Sequence, residues 1–130
     1  MLAGKRPDHV NTGQPMLAVC SGTPNCVNSH AEGGYHAIEP FAVVATQADA
    51  MQSLRDIISS TPRCTLITSN DVYLYAECRS RLLGYVDDLE FAYDENANVI
   101  HVRSASRLGR SDFGVNRKRV ERIRSLYTMK

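Results

Sequence analysis

The apolar positions of this chain repeat with two different periods. Met51, Leu54, Ile57 and Ile58 recur at helical spacing behind Thr46-Gln-Ala-Asp49, and Thr61-Pro62 stops the run. Thr46 suits an N-cap, Asp49 stands where a capping box has Glu or Gln, and proline cannot continue a helix, so the pattern predicts a first helix over about 47–60. Beyond it the period drops to two. Cys64–Thr68 and Val72–Arg79 flank Asn70-Asp71, a hairpin-like junction. On the second run Val72, Leu74, Ala76 and Cys78 point one way, and Tyr73, Tyr75, Glu77 and Arg79 point the other. Asp88–Tyr93 alternates likewise, turns through Asp94-Glu-Asn-Ala-Asn98 and returns as Val99–Ser104. Turns this short imply antiparallel neighbours. From Val115 to about Thr128 the helical period resumes, with Val120, Ile123 and Tyr127 on one face and arginines on the rest.

These elements sum to an α+β fold: an antiparallel sheet of four to five strands with two helices packed on one face. Residues 1–34 hold Gly, Pro, Asn and Ser at close intervals and no sustained period. They read as an irregular lead segment with a cysteine loop, part of the same domain as the α+β body at 35–130. At 130 residues the chain is most simply one domain with one core. No run approaches the ~20 apolar residues that spanning a membrane requires. The basic start Met1-Leu-Ala-Gly-Lys-Arg-Pro7 is followed by no apolar stretch, so the chain as written reads as cytoplasmic. Removal of a signal would instead make it exported or organellar.

Charge changes the picture more than composition does. The formal net charge is only +1, yet Arg103 to Lys130 carries nine Lys or Arg against Asp112 and Glu121, leaving six basic and twelve acidic residues elsewhere. A basic end set against an acidic body favours either an anionic partner or an internal ion-pair network.

Four stretches carry a resemblance: Cys20-Ser-Gly-Thr-Pro-Asn-Cys26-Val, Val86-Asp-Asp-Leu-Glu-Phe91, Val102-Arg-Ser-Ala-Ser-Arg107-Leu-Gly and Ser111-Asp-Phe-Gly-Val-Asn-Arg-Lys-Arg119. Together they resemble the domain-of-unknown-function 1499 family, with correspondence running from about Gly4 to Tyr127. Ser21 stands where that family typically has Pro, and Asn28 where a small residue is common. The resemblance implies a shared fold and a shared site, and no established reaction.

Two readings of the arginines compete. Val99, His101, Arg103, Ala105 and Arg107 share one face of their strand, and Glu77, Arg79, Asp88 and Glu90 fall on the polar faces of its neighbours. Opposite charges placed cross-strand would make an ion-pair network, each exposed pair worth ~0–1 kcal/mol. Alternatively Arg103, Arg107 and Arg117, beside the start of the last helix, form an anion site, because guanidinium forks bind carboxylate or phosphate bidentately. Asp112, as an N-cap, would compete for the same helix donors. Gly109 and Gly114 suit a tight strand-to-helix turn, and neither a phosphate loop nor a dinucleotide fingerprint occurs. Nucleic acid is an unlikely partner, since Phe113 and Tyr127 alone interleave the basic end.

Cys20 and Cys26 can form a disulfide or reduced pair, lie as simple buried thiols, or act as a redox or nucleophilic site; no basic residue adjoins either to lower its pKa. With His30 and His36 they spell four formal zinc ligands at a spacing that fits no usual finger, so no metal and no cofactor is expected. Cys64 and Cys78 face each other across the hairpin on the apolar side, and as core cysteines in a reducing compartment they are expected unbonded. Ser104 or Ser106 with His101 fails as a hydrolytic pair, because residues 101 and 104 point to opposite faces. Adjacent Asp87 and Asp88 diverge for the same reason. Whether the chain is an enzyme is left open. The leading expectation is a non-enzymatic module binding a small anionic or amphipathic ligand, or a protein partner, through Arg79, Arg103, Arg107, Asp112, Asn116 and Arg117. The alternative is an enzyme using the Cys20/Cys26 loop for thiol chemistry.

Overall fold

The computed structural model describes residues 4–81 and 84–129; Met1–Ala3 and Lys130, the last residue of the basic run, lie outside them. The elements run β1 (Cys26–Asn28), β2 (Phe41–Ala42), α1 (Gln47–Ser60), β3 (Cys64–Ser69), β4 (Tyr73–Arg79), β5 (Val86–Asp94), β6 (Val99–Ser106) and α2 (Val115–Thr128). Every strand pair is antiparallel, in the order β1-β6-β5-β4-β3, with β2 also pairing β6. The sheet is thus slightly larger than the four to five strands expected. The additions are β1, inside the stretch read as irregular, and the two-residue β2. Both are too short to show a period of two.

Local chemistry sets the element ends. Thr46 caps α1 by accepting a hydrogen bond from Asp49 N–H at 3.1 Å. Asn70 Oδ1 accepts the Val72 and Tyr73 N–H groups, folding the β3–β4 turn. Asp112 Oδ1 and Oδ2 accept the Gly114 and Asn116 N–H groups at 2.8 and 2.9 Å, so the expected N-terminal cap of α2 acts from two residues before Gly114. A positive φ at Gly114 turns the chain into that helix.

Both helices cover one face of the sheet. Met51, Leu54 and Ile58 of α1 and Val120, Ile123 and Tyr127 of α2 pack with Leu74, Ala76, Leu89, Phe91, Ile100 and Val102. Phe41 sits edge-on to both Phe91 and Tyr127. The opposite face is covered by the lead segment, where Val10 and Leu17 pack on Tyr73, Tyr75 and Ala92. The polar face of the alternation is therefore buried as well.

All four cysteines are bonded, Cys20 to Cys26 and Cys64 to Cys78. The first bond ties the lead segment to β1; the second ties edge strand β3 to β4. This corrects the expectation that Cys64 and Cys78 stay unbonded. Their opposition across the hairpin was legible, and the pairing register does set Cys64 against Cys78, Cα atoms 4.0 Å apart. The expectation rested on assuming a reducing compartment, which is no property of the geometry. The same bonds correct the thiol reading of Cys20 and Cys26, because the nucleophile is a thiolate and neither sulfur is one.

Candidate functional site

The lead-side face of β4, β5 and β6 carries a ladder of charge. Arg107 Nε donates to both oxygens of Asp88, at 3.2 and 3.0 Å, and its terminal amines reach Glu77 at 2.6 Å, the Tyr75 hydroxyl and the Gly4 carbonyl. The Tyr75 hydroxyl lies 2.6 Å from Asp88 and 2.8 Å from Glu77, and its single proton is shared between the two carboxylates. Arg6 of the lead segment closes the ladder on Glu77 at 2.7 Å. This is the cross-strand network expected from the alternation, but Arg107 and Asp88 are almost wholly buried, so removing one partner costs far more than at an exposed pair. Burial pulls the Glu77 carboxyl up, and the bonds from Arg6, Tyr75 and Arg107 outweigh it, holding the pKa at about 2. The Asp88 contacts push Arg107 up against the cost of burial.

One register step along, Glu90 and Arg103 are cross-strand partners on β5 and β6. Glu90 is 1% exposed; its Oε2 accepts the Tyr73 hydroxyl, and its Oε1 has no hydrogen-bond partner among the described residues. Burial raises the Glu90 pKa, against the pull of Tyr73 and Arg103. Arg103 is 4% exposed, and its Nε donates to the Ala18 carbonyl at 2.8 Å. No other hydrogen bond or ion pair holds its guanidinium among the described residues. Burial lowers its pKa, with Glu90 and Asp88 opposing.

Arg103 instead lines a cavity of about 500 Å³ between the lead segment and the sheet. Arg107 and Asp88 form part of its wall, the Cys20–Cys26 disulfide and Val19 another part, and Ser21, Thr23 and Asn25 supply hydroxyl and amide groups. The disulfide and β1 fix this loop against β6, where Cys26 pairs Ala105.

The other expected site residues are spread out. Asn116 and Asp112 lie across the sheet, on the helix side. Asn116 Oδ1 accepts from Ser104 Oγ at 2.6 Å and from Arg119, while Nδ2 donates to Asp112, Ser106 and the Asn25 carbonyl. This hub is fully satisfied and ties α2 to β6 and the cysteine loop. Bonds from Asn116 and Gly114 hold the Asp112 carboxyl below the usual range, against the upward push of burial. Arg117 reaches the Tyr35 and Ala37 carbonyls, away from Arg103. Arg79 is exposed at the end of β4 and takes no part in the ladder. Of the three arginines read as one anion site, the structure brings Arg103 and Arg107 together and not Arg117. Asp87 and Asp88 do diverge, Asp87 pairing with Arg119 at 2.8 Å on the helix side.

Sequence reasoning missed a second polar string. His30 and His101 stack with ring centroids 3.8 Å apart; His101 Nδ1 lies 2.9 Å from Ser29 Oγ, and Nε2 lies 3.3 Å from Asp94 Oδ2. Burial, and then His101, lowers the His30 pKa, which keeps its ring available to accept the Leu17 N–H. The Ser29 hydroxyl also accepts the Val102 N–H at 2.8 Å, so it serves as a strand-edge lock. Ser29 and His101 are 72 residues apart, and no local spacing could have joined them.

No curated protein matches the chain. A family model, described as a protein of unknown function (DUF1499), matches residues 16–126, a span that holds β1 to most of α2 and both disulfides. The match extends over most of the 130 residues, and the chain belongs to the DUF1499 family.

Proposed function

We propose that the chain is a non-enzymatic binding module, and that the cavity beside Arg103 takes a small anionic ligand. One observation carries the reading: a guanidinium with a single hydrogen bond among the described residues, 4% exposed, lines a cavity walled by hydroxyl and amide groups. Burying a cation is costly unless it is paired, and Arg107 beside it shows what full pairing looks like. A carboxylate or phosphate seated on the Arg103 fork would supply the missing partner, with Ser21, Thr23 and Asn25 orienting it. The exposed side of the cavity, at Val19 and the disulfide, suits an apolar portion of the same ligand. Two disulfides favour an oxidising compartment over the cytoplasm. No helix among the described residues is long and apolar enough to cross a membrane.

The test is thermal unfolding of the full chain against inorganic phosphate, acetate and benzoate. At least one probe raises the midpoint of the wild type in a concentration-dependent way, and Arg103→Gln abolishes that shift while remaining folded. Equal shifts in both proteins, or none in the wild type with any of the three, would remove Arg103 as the anchor.

A further inference from the structure

The basic end of the chain divides into two groups once it folds. Arg107 and Arg119 pair with buried carboxylates, Arg117 and Arg124 reach backbone carbonyls, and Arg103 lines the cavity. Arg110, Lys118 and Arg122 are exposed, and no hydrogen bond or ion pair holds their side chains among the described residues. Two of these lie on the outer face of α2. Counting about 100° per residue, Val115, Lys118, Arg122, Leu126 and Met129 fall within an arc of about 80°, roughly opposite the buried Asn116, Val120, Ile123 and Tyr127. No acid falls on that arc. Its apolar members are exposed, Met129 at 81%.

Phe113 stands in the loop just before the helix, and with Leu108 and Val115 it lines one surface pocket at the N-terminal end of the stripe. It is 88% exposed and held at φ +54°, a conformation that disfavours a bulky side chain and that Gly would adopt at lower cost. Exposed Leu108 lies in the same loop. A ring kept in solvent at a backbone cost is a feature that core packing does not explain. We infer that the outer face of α2 and the Phe113 loop form an interfacial docking surface for an anionic lipid membrane. Phe113, Val115, Leu126 and Met129 enter the headgroup region, and Lys118 and Arg122 meet lipid phosphates.

Charge placement favours a bilayer over a protein partner. The core of a protein interface is depleted in charge, with polar residues at its rim. Here the cations occupy the middle of the stripe and the apolar side chains its ends, an order that suits long basic side chains lying on headgroups between inserted anchors. The inserting and basic side chains of this surface are not among those lining the Arg103 cavity, and the inference stands whatever that cavity binds.

Flotation of the full chain with vesicles tests it, using phosphatidylcholine alone and phosphatidylcholine mixed with phosphatidylglycerol. The protein floats with the mixed vesicles and not with phosphatidylcholine alone. Each cation is worth about fivefold in affinity near an anionic surface, so Lys118→Glu with Arg122→Glu weakens binding by at least about twenty-five-fold. Phe113→Gly weakens it by about tenfold or more while leaving the thermal midpoint unchanged or higher. Arg63→Glu, the same charge reversal at the exposed turn before β3, leaves binding near wild type. The inference is overturned by no binding to mixed vesicles, equal binding to phosphatidylcholine, or a Phe113→Gly protein that floats like wild type. Duplex DNA bound as tightly as the vesicles, with Phe113→Gly affecting neither, would make the face a nucleic-acid surface instead.

Discussion

On β4, Leu74 and Ala76 point into an apolar layer beneath α1 and α2, whereas Tyr73 and Tyr75, one residue away, point into a layer of carboxylates and guanidinium groups under the lead segment. All four are fully buried. The helix side excludes water by shape and area, and an apolar side chain of similar volume would serve there. The lead side excludes it over charges that must each find a partner, so its stability depends on specific atoms. Arg107 meets that requirement completely. Arg103 and Glu90, its neighbours in the same layer, do not. A buried polar layer with one cation left incompletely paired beside a cavity is the physical basis for placing a ligand there.

The comparison can be broken at its strongest points first. Phe91→Ala on the helix side destabilises by about 3–5 kcal/mol in urea unfolding. Arg107→Ala on the lead side costs a similar amount, because it strands buried Asp88 without a cation, while Glu77 keeps Arg6. The two responses then separate: adding Asp88→Asn to Arg107→Ala recovers part of the loss, whereas no second truncation rescues Phe91→Ala. Removing Cys64 and Cys78 together costs about 3 kcal/mol by loop closure, and removing Cys20 and Cys26, with their shorter loop, about 2 kcal/mol. Loss of the second pair should also loosen the cavity, seen as faster amide hydrogen exchange at positions 25 and 26. Asn116→Ala, which takes one hydrogen-bond partner each from Ser104, Ser106 and Asp112, costs about 1–3 kcal/mol.

The smallest effects are pH-dependent and opposite in sign. Glu77 has a depressed pKa, so its contribution is present above the ordinary carboxylate range and is lost as pH falls toward about 2. Unfolding of wild type and Glu77→Gln followed across acid pH should converge at the acid end. Glu90 has a raised pKa, so its contribution is present at acid pH and is lost as pH rises through the folded value. Glu90→Gln should therefore match wild type in acid and exceed it slightly on the alkaline side.

Much of the fold was legible because its long elements carry clean periods. The α1 span, the face assignments on β4 and β6, and the opposition of Cys64 and Cys78 all follow from local spacing. The lead segment defeated that reasoning. Its contacts are single residues, such as Asn11 on Tyr73 and Ala18 on Arg103, made across long sequence distances. Without it the polar face of β4 reads as solvent-facing, and the charge ladder as a weak surface network. The site suffered likewise. Arg103 and Arg107 share a face and stayed together, while Asp112 and Asn116 belong to the helix side, a division set by the α2 docking angle that no spacing encodes.

The most direct test of the Arg103 cavity is intact mass measured under native and then denaturing, non-reducing conditions, for wild type and Arg103→Gln purified in parallel. The native wild type should carry a small-molecule excess that disappears on denaturation and is absent from the variant. Both denatured proteins should lie two hydrogens below the reduced mass for each of the two disulfides. A native wild type with no excess, or an excess carried equally by Arg103→Gln, would contradict the assignment of Arg103 as the anchor of a ligand site.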